Sequence, residues 1–352
     1  MDIVLEILDG LVYDRVYAAL LPGSPGPNSL MGLKNTNATL GELPTAAGIN
    51  NYIYQPASKY INLGPSKYAY MSSLQRDDPL RQFISLYMTT WIFGMLLYFV
   101  FATASYYTIF DHNTKHHPKY LKNQVSLEIK QSMSSMPGMS LLTAICFWFE
   151  VRGYSLLYDA TEDGPGYWYN FAQFPIFILF TDCFIYFIHR GLHHPMVYKT
   201  LHKPHHKWIM PTPYASHAFH PIDGFAQSIP YHVFPFVLPL QKWAYVVLFF
   251  FINVWTILIH DGEYMTNNPI INGAACHTEH HLAFNWNYGQ FTTLWDRLGG
   301  SYRAPSLEMF DKQKKMSADT WKKQTEEMER VVMEVEGEDD RKYLPEDGKK
   351  TQ

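Results

Sequence analysis

The sequence predicts an all-α protein: a polytopic membrane helical bundle of three spans plus a helical hairpin, with a cytosolic histidine-box metal cap. Three observations predict it. Four apolar stretches, at 83–110, 136–157, 170–188 and 229–259, are separated by polar segments. About 20 apolar residues are enough for a helix to cross the hydrocarbon core of a bilayer. The loops between the stretches alternate in charge, and three histidine clusters fall on the side that this alternation assigns to the cytosol.

Composition sets the bounds. Hydrophobic residues make up 47% of the 352 residues and aromatics 16%, while the net charge is only −4. That balance gives no general attraction to nucleic acid. The mean hydropathy of −0.17 averages apolar runs with polar ends. Cys146, Cys183 and Cys276 are widely spaced and form no C-x-x-C pair, so reduced thiols are expected rather than a disulfide framework. Residues 1–21 carry acids and no basic n-region, unlike a cleavable signal peptide.

Residues 1–80 read as a mixed lumenal leader. Positions 21–37 are rich in Pro, Gly, Ser and Asn, the chemistry of an irregular loop. Asn37-Ala38-Thr39 is a glycosylation sequon, meaningful where this end faces a lumen. The first apolar stretch follows, and after it a loop holding His112, Lys115, His116, His117, Lys119, Lys122 and Lys130. Excess Lys places that loop in the cytosol and the N-terminus in the lumen. The second stretch ends near Glu150 and Arg152, read as its lumenal boundary. The next loop has Asp159, Glu162 and Asp163 but no Lys or Arg.

The third stretch contains one charge, Asp182, and delivers His189 to the cytosolic surface. Asp182 lies seven residues before His189, two turns back on one helix face; it either orients a ligating imidazole or caps a helix contact. The fourth stretch is split by Gln241-Lys242 behind Pro235 and Pro239 into arms of about 11 and 17 residues. A hairpin entering and leaving on the cytosolic side keeps the third histidine cluster with the first two. Residues 81–303 form the expected membrane-embedded domain. Residues 304–352 are charge-dense, read as a solvated helix and a cytosolic tail ending in Lys349-Lys350, a pattern like the dilysine retrieval signal of endoplasmic-reticulum membrane proteins.

The clusters carry the chemistry. His189 and His193 are i, i+4; His202, His205 and His206 are i, i+3, i+4; His277, His280 and His281 repeat that spacing. Residues so spaced are neighbours on a helix, and neutral imidazole is the commonest metal ligand among side chains. Eight nitrogens are too many for one ion and suit two. A structural zinc site uses four ligands, usually with cysteine, and only Cys276 adjoins a cluster. The Glu-x-x-His pairs of soluble di-iron bundles are absent. An all-nitrogen two-metal centre remains, with iron favoured by its site at the lipid and the lack of hydrolytic apparatus. His112, His116, His117, His194 and His232 read as surface or interfacial residues, His217 is a weaker ligand candidate, and Lys203 and Lys207 as positive-inside bias.

The order His-x3-His, His-x2-His-His, hairpin, His-x2-His-His resembles the fatty acid hydroxylase superfamily of membrane di-iron oxygenases. The run H-R-G-L-H-H-P-M-V-Y-K-T-L-H-K-P-H-H-K-W-I-M-P-T-P-Y-A-S-H-A-F-H-P-I-D-G is similar to the sterol C5-desaturases. The resemblance covers about 83–303. It implies a Δ7-sterol substrate desaturated at C5–C6, two non-haem iron ions, O2, and NADH electrons passed by cytochrome b5 reductase and cytochrome b5. It implies the eight histidines as ligands and adds His260, although Tyr264 stands where relatives often have a second histidine. His220 is implied as a ligand or as a donor beside one. Trp208, Tyr214 and Phe219 are expected near the mouth of a sterol tunnel. The alternatives are a sister oxygenase, such as a sterol C4-methyl oxidase or fatty-acyl 2-hydroxylase, and a non-enzymatic metal- or sterol-binding membrane protein.

Overall fold

Asp78 and Pro79 begin the first long helix for a local reason. The Asp78 carboxylate accepts from the Leu80 and Arg81 N–H groups, and Pro79 occupies the first turn, where no N–H is needed. The computed structural model describes residues 1–23, 50–61 and 63–343. The Asn37 sequon and Lys349-Lys350 lie outside the described residues.

The main helices are α1 (Asp2–Leu8) and α2 (Asp14–Leu20), joined by a π-helical turn, then α3 (Pro79–Thr108), α4 (Gln124–Val151) and α5 (Tyr169–Leu192). The hairpin is α6 (Pro221–Val237) and α7 (Lys242–Leu258); α8 (Ala274–Ala283) and α9 (Ala318–Val335) follow. Strand is confined, among the described residues, to the pairing of Leu157–Tyr158 with Leu240–Gln241 and isolated bridges. α3 and α5 are long and apolar enough to cross a membrane. On α3, Ile92, Phe93, Leu96 and Val100 stand exposed, as a lipid-facing surface requires.

Three elements depart from the sequence expectation. α4 begins twelve residues before the apolar stretch. Its first turns carry a buried polar stripe, Gln124, Glu128, Ser132 and Ser135, at near four-residue spacing. Gln124 donates to Met210 O, Glu128 accepts from Thr212 N, Ser132 donates to Tyr214 O, and Ser135 to Phe219 O. Apolar periodicity cannot register a helix whose buried face is polar; this one holds the loop between the second histidine cluster and the hairpin.

The hairpin arms are equal, 17 residues each. Pro221 at the first turn and His220 as cap start α6 eight residues earlier than hydropathy does. At the turn, Gln241 N–H donates to Gln173, and the Leu240–Gln241 strand pairs beside the loop joining α4 to α5. The tip therefore reaches the far end of the bundle. α6 crosses α4 closely: a Cβ on Gly138 would meet Pro221 Cβ at 2.9 Å, and one on Gly224 would overlap Met139 Sδ.

α9 is not merely solvated. Met328, Val331 and Val332 are buried with Tyr198, Ile209, Met210, Leu282 and Phe284. At the other end, α1 and α2 dock on α3 through buried ions: Arg81 Nη2 lies 2.7 Å from Asp9 Oδ1 and 2.8 Å from Asp14 Oδ1, and Arg76 Nη2 lies 2.6 Å from Asp14 Oδ2. Removing one member of such a network leaves a buried charge unpaired, a loss of about 3–5 kcal/mol. Arg81→Ala should therefore lower the thermal unfolding midpoint in detergent strongly, and an unchanged midpoint would refute the docking role.

Candidate metal centre

Nine histidines on five segments meet in two groups. His189, His193, His202, His206 and His280 form one; His205, His260, His277 and His281 form the other, all buried, with ligand atoms within 4.8 Å of one another in each group. The division follows from helix geometry. Successive residues are about 100° apart around an α-helix, so i and i+4 share a face while i+3 and i+4 diverge. In the second cluster His202 and His206 turn to the first group and His205 to the other. In the third, His277 and His281 share a group and His280 crosses over. A π-helical turn at Tyr198–His202 precedes the short helix Lys203–His206 and sets that cluster's phase. α5 runs on past Ile188, so His189 projects from its last turn.

Hydrogen bonding fixes the tautomers. His189 Nδ1 donates to Tyr288 O (2.9 Å), His202 Nδ1 to the Asp223 carboxylate (2.9 Å), His280 Nδ1 to Trp286 O (2.7 Å) and His260 Nδ1 to Thr256 O (2.6 Å). Carbonyls and carboxylates only accept, so these imidazoles carry their proton on Nδ1 and a bare lone pair on Nε2. Two of these bare nitrogens face each other, His189 and His202 Nε2 at 3.1 Å, and the bare His260 Nε2 lies 3.0 Å from His277 Nε2. Facing lone pairs in a buried site repel unless a cation lies where they converge. Both nitrogens of His193 and the Nδ1 atoms of His205, His206 and His281 are buried without a hydrogen-bond partner. The donor set therefore fits two metal ions.

Burial also keeps the rings neutral. It holds His205, His206, His277 and His281 well below the ordinary histidine value, with neighbouring imidazoles adding to the effect; His260 is lowered to about 4 and His280 to about 3. An unfolded chain takes up these protons below about pH 6.5, whereas in the folded one each is taken up only well below that, at about 4 for His260 and about 3 for His280. The unfolded state thus binds more protons in that window, and folded stability falls as pH drops through it. Chelator-treated protein should show a falling unfolding midpoint from pH 7 to pH 5; a flat midpoint would contradict the buried neutral cluster.

Other candidate residues sit elsewhere. His220 joins neither group: Pro221 fixes the helix start, and His220 Nδ1 caps it by accepting from Ile222 N. Asp182 reaches no imidazole; it accepts from the N–H groups of Gln290, Phe291 and Thr292, anchoring the loop whose Tyr288 carbonyl orients His189. The carboxylate that contacts a ring is Asp223, in the H-P-I-D-G element, where the Asp three residues beyond His220 was the available signal. His117 and His232 are buried rather than superficial. Lys203 is held by Glu336 and Asp340.

A cavity of about 850 Å³ runs from α1 between α3, α4, α6 and α7 to Ser216, His217, Phe219, Thr256 and Gln290; the nine grouped histidines do not line it. Phe219 lines it and stacks on His205, ring centres 4.2 Å apart. Trp208 and Tyr214 do not line it. Trp208 packs on Leu121, Ala215 and Ala218, and Tyr214 on Tyr98 and Tyr106, with its hydroxyl on Thr103. Both rings are consumed in the packing that fixes the loop.

Comparison with known proteins agrees with this centre. The fatty acid hydroxylase family model matches residues 174–301. The chain is 61% identical to the Neurospora crassa protein named "Probable Delta(7)-sterol 5(6)-desaturase", over 100% of both chains. It is 61% identical to the Aspergillus fumigatus Delta(7)-sterol 5(6)-desaturase erg3A, over 98% of this chain and 97% of that one. It is 57% identical to the Delta(7)-sterol 5(6)-desaturase of Leptosphaeria maculans, over 100% of both. No solved structure matches the chain. With an all-imidazole double centre and full-length kinship of this order, the chain belongs to the Delta(7)-sterol 5(6)-desaturases of the fatty acid hydroxylase family.

Proposed function

We propose that this chain introduces the C5–C6 double bond into Δ7-sterols, with O2 as oxidant and NADH electrons delivered by cytochrome b5 and its reductase. The balanced change removes one hydrogen from C5 and one from C6; with two electrons and two protons supplied, O2 leaves as two waters. The convergence of buried imidazole nitrogens in two groups is the observation that carries the reading, and the names of the full-length relatives supply the substrate. The nine grouped histidines would hold the metal, and non-haem iron would supply dioxygen activation and hydrogen abstraction when bound.

The protein's own part is placement and exclusion. Tyr288 O, Trp286 O, Thr256 O and Asp223 fix ring orientation and tautomer, as partners behind ligating imidazoles do. The cavity wall of aliphatic and aromatic side chains keeps water from the reacting carbons. Phe219, stacked on His205, sets the floor against which a flat ring system rests. In this reading 81–303 is the catalytic domain of a multi-pass protein of the endoplasmic-reticulum membrane, with a lumenal N-terminus and the histidines and C-terminus in the cytosol.

The test is reconstitution with Δ7-sterol, NADH, cytochrome b5, its reductase and O2, read by sterol analysis. The expected product is the 5,7-diene. Oxidation at a C4 methyl would point instead to a sister oxygenase, and sterol-independent behaviour with no O2 uptake would overturn the enzymatic reading.

A further inference from the structure

Among the polar side chains that line the cavity, two stations hold a histidine, and they are not equivalent. One is midway along the bundle, where Thr143 Oγ1 and His232 Nε2 lie 3.4 Å apart, among Phe147, Phe225 and Phe249. The other is at the metal end. There Ser216 Oγ lies 3.0 Å from His217 Nδ1, and His217 Nε2 faces Asn253 Oδ1 at 3.5 Å, a long contact between cavity-lining side chains. Thr256 and Gln290 line the same end, and the Thr256 carbonyl is the acceptor for His260 Nδ1. Phe219, on the same wall, stacks on His205. This station therefore adjoins the His205, His260, His277, His281 group.

The geometry points to the His217–Asn253 pair as the recognition site for the sterol 3-hydroxyl, holding ring A at the metal end with the aliphatic side chain directed toward α1. The inference rests on the sterol reading above and adds orientation to it. Substrate chemistry supplies the second constraint. In a Δ7-sterol the carbon bearing the hydroxyl is separated from C5 by a single methylene. When C5 and C6 lie against the metal group, the hydroxyl must be close to it too, and only the metal-end station can meet it. Toward α1 the wall is largely apolar, with Val4, Leu8, Val12, Leu96 and Val247, and the Tyr13 hydroxyl there is already engaged with Thr89 Oγ1 at 2.8 Å and Ser85 O at 3.1 Å. The 3.5 Å separation leaves room for a hydroxyl to donate to Asn253 Oδ1 while it accepts from His217 Nε2–H, whose tautomer the Ser216 hydroxyl supports by donating to Nδ1. A buried polar pair left without its substrate partner is what makes such a site reject an analogue lacking the group.

The experiment uses the full chain reconstituted with its electron donors and measures kcat/KM for a 3β-hydroxy-Δ7-sterol and for its 3-deoxy analogue. The wild type should prefer the hydroxysterol by about tenfold or more. Asn253→Leu should collapse that ratio to near unity, chiefly through KM, and His217→Phe should do the same. Thr143→Val should keep the wild-type ratio, whatever its absolute rate. The proposal is overturned if Asn253→Leu and His217→Phe retain the preference, or if Thr143→Val is the variant that abolishes it, since the ring system would then lie the other way. A variant that does not fold is excluded by its metal content, which neither pair member should change. Failure of the functional reading itself would look different: the wild type would form no 5,7-diene from either sterol.

Discussion

His260→Ala should cost one metal ion per chain and reduce 5,7-diene formation by more than about 100-fold, while His220→Ala should do neither. Both residues lie outside the three clusters, and the resemblance added His260 as a ligand while leaving His220 as a ligand or a donor beside one. The structure separates them. His260 Nε2 lies 3.0 Å from His277 Nε2 and 3.4 Å from His205 Nε2, and its Nδ1 proton is committed to Thr256 O. It is one of only four nitrogens in its group, so its loss leaves three. Losing even the outer partner of a ligand typically costs 10–100-fold in metal affinity or activity, and losing the ligand itself should exceed that. His220 Nδ1 accepts one backbone N–H at 3.3 Å, and replacing a cap costs about 1 kcal/mol. Metal analysis of both purified variants beside a turnover assay decides the matter. Full metal content in His260→Ala, or a missing ion in His220→Ala, would refute the assignment.

The eight clustered histidines were legible because ligand spacing on a helix is a local property of the chain. Their division into two groups was not. It depends on the 100° between adjacent residues and on the π-turn at Tyr198–His202, which hydropathy does not record. The break between α6 and α7 was legible because Pro235, Pro239 and the polar pair Gln241-Lys242 interrupt the apolar run. The early start of α4 was hidden because its buried stripe is polar and is satisfied by the 210–219 loop, a partner some eighty residues away. Trp208 and Tyr214 were misplaced for a related reason: an aromatic beside a metal box packs as readily on its own loop as on a substrate. Asp182 had the right spacing to His189, yet backbone N–H groups of a distant loop compete for the same carboxylate and win.

The charged C-terminal segment was the least legible, and it yields the second large effect. Arg341→Ala should weaken metal retention by about 10–100-fold although Arg341 touches no metal-facing nitrogen. Its Nη2 donates to the carbonyl of His206 at 3.0 Å and to Glu336 Oε1 at 2.7 Å, while Glu336 accepts from the Tyr198 hydroxyl at 3.0 Å and pairs with Lys203 Nζ at 3.1 Å. Arg341 and Glu336 therefore clamp both ends of the segment carrying the second cluster. Removing Arg341 alone frees the His206 carbonyl and leaves the buried Glu336 carboxylate with the Tyr198 hydroxyl and, as counter-charge, the partly exposed Lys203, a loss of order 3–5 kcal/mol in stability. Removing both charges, as in Glu336→Gln with Arg341→Met, should recover stability, because a buried pair replaced by matched neutral groups is often close to neutral. Metal retention should recover less, because the hydrogen bond to the His206 carbonyl is still missing. Chelator competition and thermal unfolding on the two single variants and the double variant separate these effects. Equal recovery of both quantities would mean that the clamp acts through charge alone, and unchanged metal retention in Arg341→Ala would mean that the segment is held without it.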